Sequence, residues 1–130
     1  MKIFLDANVL FSASNPDSAM ETLLGLLREE HTLCASAYAV TEASRNIRNK
    51  RPQWTEHFET LQKGVLLCPH GKLDVGIEIV EKDRPILASA IAGQCDYLVT
   101  GDRKDFGHLF GKSVQGVKVV SPAQLAEALL

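Results

Sequence analysis

Residues 83–102 read DRPILASAIAGQCDYLVTGD, and the fold is decided on this stretch. Asp83-Arg84-Pro85 opens a helix, with proline in the first turn, where its missing N–H costs little. Ile86, Leu87, Ala90 and Ile91 share one helical face, and Gly93 stands near the end. Tyr97-Leu98-Val99-Thr100 is then a short apolar run of strand type, and Gly101-Asp102 follows it. A helix that feeds a buried strand ending at an acid is half of a parallel α/β unit.

The same pattern opens the chain. Lys2-Ile3-Phe4-Leu5 is a buried strand that runs straight into Asp6. Further strands are predicted over Thr32–Ala35, Val65–Cys68 and Val117–Val120. Helices are expected between them. Asn15 or Asp17 caps one, with Met20, Leu23, Leu24 and Leu27 at helical spacing. Another runs from about Tyr38 to Asn49 and is broken by Pro52. Trp54, Phe58 and Leu61 mark a third, ended by Gly64. Residues 69–82 suggest a loop and a short helix. Ser121-Pro122-Ala123-Gln124 has the form of a capping box at the start of the last helix. The alternation predicts one α/β domain over residues 1–130, with a central parallel sheet and helices on both faces.

Composition narrows the function classes only a little. The chain has 45% hydrophobic and 23% charged residues, and a net charge of -2, with a pI near 6.1. Global charge therefore gives no sign of nucleic acid, and any such binding must rest on a local patch. Cys34, Cys68 and Cys95 are odd in number and far apart in sequence. They read as reduced core thiols, not as a disulfide framework or a zinc site. The four histidines form no helical pair. No signal peptide opens the chain, and no apolar run is long enough to cross a bilayer. The expected location is the cytoplasm, away from membranes.

Four acids stand out: Asp6, Glu42, Asp83 and Asp102, with Asp105 as a fifth. Each has an ordinary explanation. Asp6 suits a turn or a helix cap, and Glu42 suits a solvated helix face. Asp83 suits an N-cap, and Asp102 in Thr-Gly-Asp-Arg suits a turn. Jointly they are harder to dismiss, because a parallel sheet brings its carboxyl edges together where ligands bind. Clustered carboxylates cannot all stay ionised without a cation. Mg²⁺ and Mn²⁺ prefer such oxygen ligands and serve phosphodiester cleavage. Asn8, Ser12 and Thr100 are candidates to orient the carboxylates by hydrogen bonds.

The segments FLDANVLFSA (4–13), AVTEASRNI (39–47) and KDRPILASAIAGQCDYLVTGDRKDF (82–106) together resemble a PIN domain. The resemblance implies a three-layer sandwich with strand order 3-2-1-4-5. It implies a Mg²⁺- or Mn²⁺-dependent endoribonuclease acting on single-stranded RNA. Matched residue by residue, Asp6, Glu42, Asp83 and Asp102 correspond to the family's acidic quartet. Asp6, Asp83 and Asp102 would hold metal, with Asp105 as an additional acid. Small members resemble VapC-like toxins, which implies an antitoxin partner and a homodimer. Many such toxins carry Asn or Arg-Asn where this chain has Gly101-Asp102, so it looks closer to a neighbouring PIN subgroup.

Basic residues flank these acids. Arg45 and Arg48 follow Glu42, with Lys50 and Arg51 just beyond. Arg103 and Lys104 follow Asp102. Arg45, Arg48, Arg103 and Lys104 are the candidate phosphate contacts, although a solvated helix face explains several of them equally well. Other functions fit less well. A phosphotransferase with an aspartate nucleophile would carry Asp-x-Asp after strand 1, where Asn8 stands instead. A receiver-type module would pair acids early in the chain. A catalytically silent PIN-like binding module would have lost one of the four acids, and all four are present. A housekeeping RNA-processing nuclease remains an alternative to the toxin.

Overall fold

The computed structural model describes residues 1–74 and 76–130. Six strands form one sheet in the order β3-β2-β1-β4-β6-β5. They are β1 (Lys2–Leu5), β2 (Thr32–Ala35), β3 (Leu66–Leu67), β4 (Tyr97–Val99), β5 (Ser113–Val114) and β6 (Val117–Val120). All pairings are parallel except β5 with β6. The predicted order 3-2-1-4-5 is present, its fifth strand being β6. The short antiparallel β5 was not foreseen. It is two residues long, and Gln115 and Gly116, both at positive φ, turn it into β6.

The helices are α1 (Ala7–Ala13), α2 (Ala19–Leu27), α3 (Ala37–Lys50), α4 (Thr55–Lys63), α5 (Arg84–Ala92), α6 (Arg103–Phe106) and α7 (Pro122–Leu129). They flank a sheet whose central strands β1 and β4 are buried except at their first residues, Lys2 and Tyr97, as a parallel sheet covered on both faces requires. Neither α1 nor α6 was foreseen. Both begin directly behind an acid that ends a strand, at Asp6 and Asp102, and both acids cap them. At α2 the cap is Ser18, whose hydroxyl accepts from Glu21 N–H, and not Asn15 or Asp17. The capping box at Ser121 is present, with Gln124 closing it. Residues 69–80 form no helix among the described positions, and a single 3₁₀ turn covers Glu81–Asp83. Residue 75, inside the expected loop and short helix, lies outside the described residues.

Two features of the packing bear on the helices and the thiols. Phe58 and Leu61 are buried in the core, and Trp54, just before α4, meets Phe11 with ring centroids 5.2 Å apart and planes tilted by 58°. That face of α4 is therefore used within the chain and is not open to a second copy. The three cysteines are free thiols, as expected, and although remote in sequence they have sulfurs within 4.8 Å of one another.

Candidate functional site

The parallel register sets the site. Phe4 pairs with Leu98 and Leu5 with Val99, so β1 and β4 end side by side. Asp6 leaves β1 and Thr100-Gly101-Asp102 leaves β4 at the same edge. This is the place where the strand order reverses and a crevice opens.

Asp6 is almost wholly buried and is held on both oxygens. Oδ1 accepts from Ala7 N–H at 2.7 Å. Oδ2 accepts from the Thr100 hydroxyl at 2.8 Å and from Asn8 Nδ2 at 3.1 Å. Burial pushes the Asp6 carboxyl above its ordinary range, opposed by the Thr100 and Ala7 hydrogen bonds and assisted by Glu42 and Asp102. Asn8 also ties the two strand ends together, because its Oδ1 accepts from Gly101 N–H at 2.8 Å. Thr100 Oγ1 in turn accepts from Asp102 N–H at 3.1 Å. The two expected orienting residues Asn8 and Thr100 thus bond Asp6 directly. Ser12 differs. It lies on the cavity wall, and its carbonyl accepts from Ser18. Among the described residues its hydroxyl bonds no carboxylate.

Asp6, Glu42, Asp83 and Asp102 all line one cavity of about 500 Å³. Asp83 stands at the head of α5 but does not cap it, since its side chain makes no cap hydrogen bond. Its Oδ2 is buried without any hydrogen-bond partner among the described residues. Burial first, then Asp6, Asp102 and Asp105, push its carboxyl up to about 7 against the opposing pull of Lys82. An N-cap role therefore does not account for Asp83. Carboxylate oxygens of Asp83, Asp102 and Asp105 lie within 4.8 Å of one another. Asp102 Oδ1 accepts from Asp105 N–H at 3.0 Å, which caps α6 and fixes the pair.

Lys82 enters this acidic group. Its ammonium is 3.2 Å from Asp105 Oδ2. It holds Asp105 below the usual carboxylate range, and Asp105 and Asp83 raise the lysine in return. Sequence reasoning missed Lys82. Position 82 immediately precedes an acid at a helix start, and a cation there was the available signal.

The basic residues divide between two faces of α3. Glu42, Asn46 and Lys50 follow at intervals of four and line the main cavity together. Arg45 faces a neighbouring cavity of about 330 Å³ with Tyr38, Thr41 and His70, and Glu42 forms the wall between the two. Arg48, Arg103 and Lys104 are exposed and line neither cavity. Asn46 was legible in principle, one turn beyond Glu42. Phe11 and Met20 give the main cavity an apolar side.

A family model described as PIN domain matches residues 2–104. Among curated proteins, none matches this chain. A solved chain of similar shape comes from the crystal structure of VapBC2 from Rickettsia felis bound to a DNA fragment from their promoter. It has a TM-score of 0.66 at 18% identity, over 93% of this chain and 98% of that one. At that identity the likeness is one of fold.

Proposed function

This chain belongs to the PIN domain family, and from that premise we propose a divalent-metal-dependent endoribonuclease that cleaves single-stranded RNA in the cytoplasm. The observation that carries the reading is Asp83. Its Oδ2 is buried without a partner, on the wall of a cavity that Asp6, Glu42 and Asp102 share. An orphaned carboxylate oxygen costs free energy unless a cation or donor meets it in the working state.

The donor set suits Mg²⁺ or Mn²⁺, being all oxygen and strongly anionic. Asp83 and Asp102 would hold the ion, with Asp6 facing the same space and Asp105 beside them. When bound, such an ion supplies charge for the phosphate oxygens and acidifies the attacking water. The chain's own residues do the rest. Thr100 and Asn8 keep Asp6 in one orientation. Asp83 would hold such an ion as the deprotonated carboxylate. Lys50 and Asn46 are placed to meet phosphate along the α3 wall. Phe11 and Met20 offer an apolar surface to an unstacked base. Glu42, opposite the strand ends, is placed to orient the attacking water or take its proton.

Membership of a toxin–antitoxin pair is part of the proposal. It is supported by the PIN resemblance and by the VapBC2 neighbour. The partner would be an antitoxin protein, with the toxin itself a homodimer. An antitoxin-like reading frame immediately upstream, co-purifying with this chain, is the corresponding observation.

The decisive experiment is cleavage of an end-labelled single-stranded RNA with Mg²⁺ or Mn²⁺. It is run against chelator, against single-stranded DNA and against Asp6→Asn. Loss of cleavage with chelator and with Asp6→Asn is expected. Undiminished cleavage by Asp6→Asn would remove Asp6 from the mechanism.

A further inference from the structure

Outside the acidic cavity, the densest cluster of ligand-type side chains in the described residues is Cys34, Cys68 and Cys95. Their three sulfurs lie within 4.8 Å of one another, and Cys68 Sγ is 3.7 Å from Cys95 Sγ. The proposed ribonuclease chemistry uses none of them. We propose that these three thiols form a buried site for one soft cation of the Cu(I) type, bound by sulfur alone.

Geometry is the first support. A metal–thiolate bond is about 2.3 Å long, so three sulfurs around one ion stand roughly 4 Å apart. Here one pair stands 3.7 Å apart and all three lie within 4.8 Å, before any ion is added. A disulfide would instead need about 2.05 Å between two sulfurs and would leave the third without a role. Three donors converging on one point are accounted for by an ion better than by a bond between two of them.

The backbone fixes all three donors in advance. Cys34 lies within β2, paired with Phe4 of β1 and Leu66 of β3. Cys68 follows β3, and its N–H donates to the Ala35 carbonyl at 2.7 Å. Cys95 sits in the turn from α5 to β4, with its N–H on the Ala90 carbonyl at 3.0 Å. Gly93 presses against Cys68 so closely that a Cβ there would overlap the sulfur. A glycine at this point is what permits the third thiol to reach the other two.

The donor chemistry selects the ion. No histidine or carboxylate joins the group among the described residues. All-sulfur sets favour Cu(I) over the hard ions that suit the acidic cavity. Three ligands without a fourth suit Cu(I) better than the four-coordinate preference of structural zinc. Lys2 supplies compensating charge. Its ammonium donates to the Gly93 carbonyl, next to the sulfurs. Cys34 and Cys95 are buried, whereas Cys68 is partly exposed and gives a way in. Binding exchanges thiol protons for the ion, with no change of oxidation state.

The test uses the full chain, reduced and anaerobic, titrated with Cu(I) held by a chromophoric chelator. Wild type should withdraw one equivalent, and X-ray absorption should show a first shell of sulfur only. Cys68→Ser is the informative variant, because that side chain is partly exposed and the fold should tolerate the change. Loss of an outer partner of a ligand alone costs roughly 10–100-fold in affinity, so loss of a ligand should cost at least that lower figure. Asp102→Asn should leave Cu(I) uptake unchanged, which separates this site from the acidic one. The proposal is overturned if wild type withdraws no Cu(I), if Cys68→Ser withdraws it equally well, or if nitrogen or oxygen dominates the shell.

Discussion

Lys82 Nζ lies 3.2 Å from Asp105 Oδ2, at the edge of a group in which Asp83 and Asp102 also place an oxygen. A lysine on the chain itself therefore occupies part of the field that a divalent ion would neutralise. Several carboxylates this close cannot all ionise unaided. The tethered ammonium relieves some of that repulsion in the metal-free protein.

Lys82→Ala should tighten Mn²⁺ binding, because the incoming ion no longer competes with the ammonium. The lysine side chain is 63% exposed, so the pair is a weak one. Exposed pairs are worth little, so the expected change in affinity is no more than a few-fold. Isothermal titration of both proteins at low salt measures it. Weaker Mn²⁺ binding in the variant would mean that Lys82 supports the site instead of guarding it.

Thr100→Val should destabilise the chain by about 1–3 kcal/mol, the cost of leaving buried polar groups unpaired. The hydroxyl is fully buried, donates to Asp6 Oδ2 and accepts from Asp102 N–H. Valine keeps the shape and removes these bonds together with the one that the hydroxyl accepts from Asn8 Nδ2. Urea unfolding with chelator present reads the difference. Because Asn8 still donates to the same Asp6 oxygen, Asn8→Ala combined with Thr100→Val should cost more than the sum of the two alone. Simple additivity would show that the two residues do not act on Asp6 together.

Much of the architecture was legible because strand-type runs and helical periodicity alternate cleanly. β1, β2 and β6 fall where their apolar runs predict, and the strand order follows. What stayed hidden is mostly short or made in three dimensions. The helices α1 and α6 are seven and four residues long, too short for periodicity to accumulate. Each is capped by an acid that draws attention for another reason. The site was legible in its acids, since strand ends and helix starts announce themselves. It was less legible in its cations. Arg45 and Arg48 were chosen by nearness in sequence to Glu42, whereas a four-residue step selects Asn46 and Lys50. The cysteine cluster could not be seen at all, because its members lie in β2, after β3 and before β4, which only the sheet order brings together.

Asp83 should make the metal-free protein lose stability as pH rises from about 4 to about 7. Its carboxyl ionises near 7 in the folded chain, against 3.8 ordinarily. Below 3.8 both folded and unfolded chains hold the proton, and burial of Asp83 carries no penalty. Between the two values the folded chain binds more protons, so the slope of stability with pH is negative. Above about 7 the contribution levels off. Asp83→Asn, which keeps the shape and does not titrate, should flatten this part of the curve. Chelated protein melted across this range supplies the measurement. Parallel curves for wild type and variant would show that Asp83 ionises normally.

Mn²⁺ should raise the melting temperature of the wild type and not that of Asp102→Asn. A ligand that binds only the folded chain stabilises it by about 2.7 kcal/mol at a hundred times its Kd. For a domain of this size that is a rise of several degrees. Asp102 is the informative position because it has two jobs that the substitution separates. Its Oδ1 caps α6 by accepting from Asp105 N–H, and asparagine retains that oxygen. Only the charge is lost. The metal-free variant should therefore melt no lower than wild type, and slightly higher if relief of repulsion against Asp83 and Asp105 outweighs the change at the cap. A smaller response to Mg²⁺ is expected without RNA, since substrate phosphates often complete that ion's shell. No shift in the wild type at millimolar Mn²⁺ would mean that the acids do not form a cage, and would favour a PIN-like binding module over the nuclease.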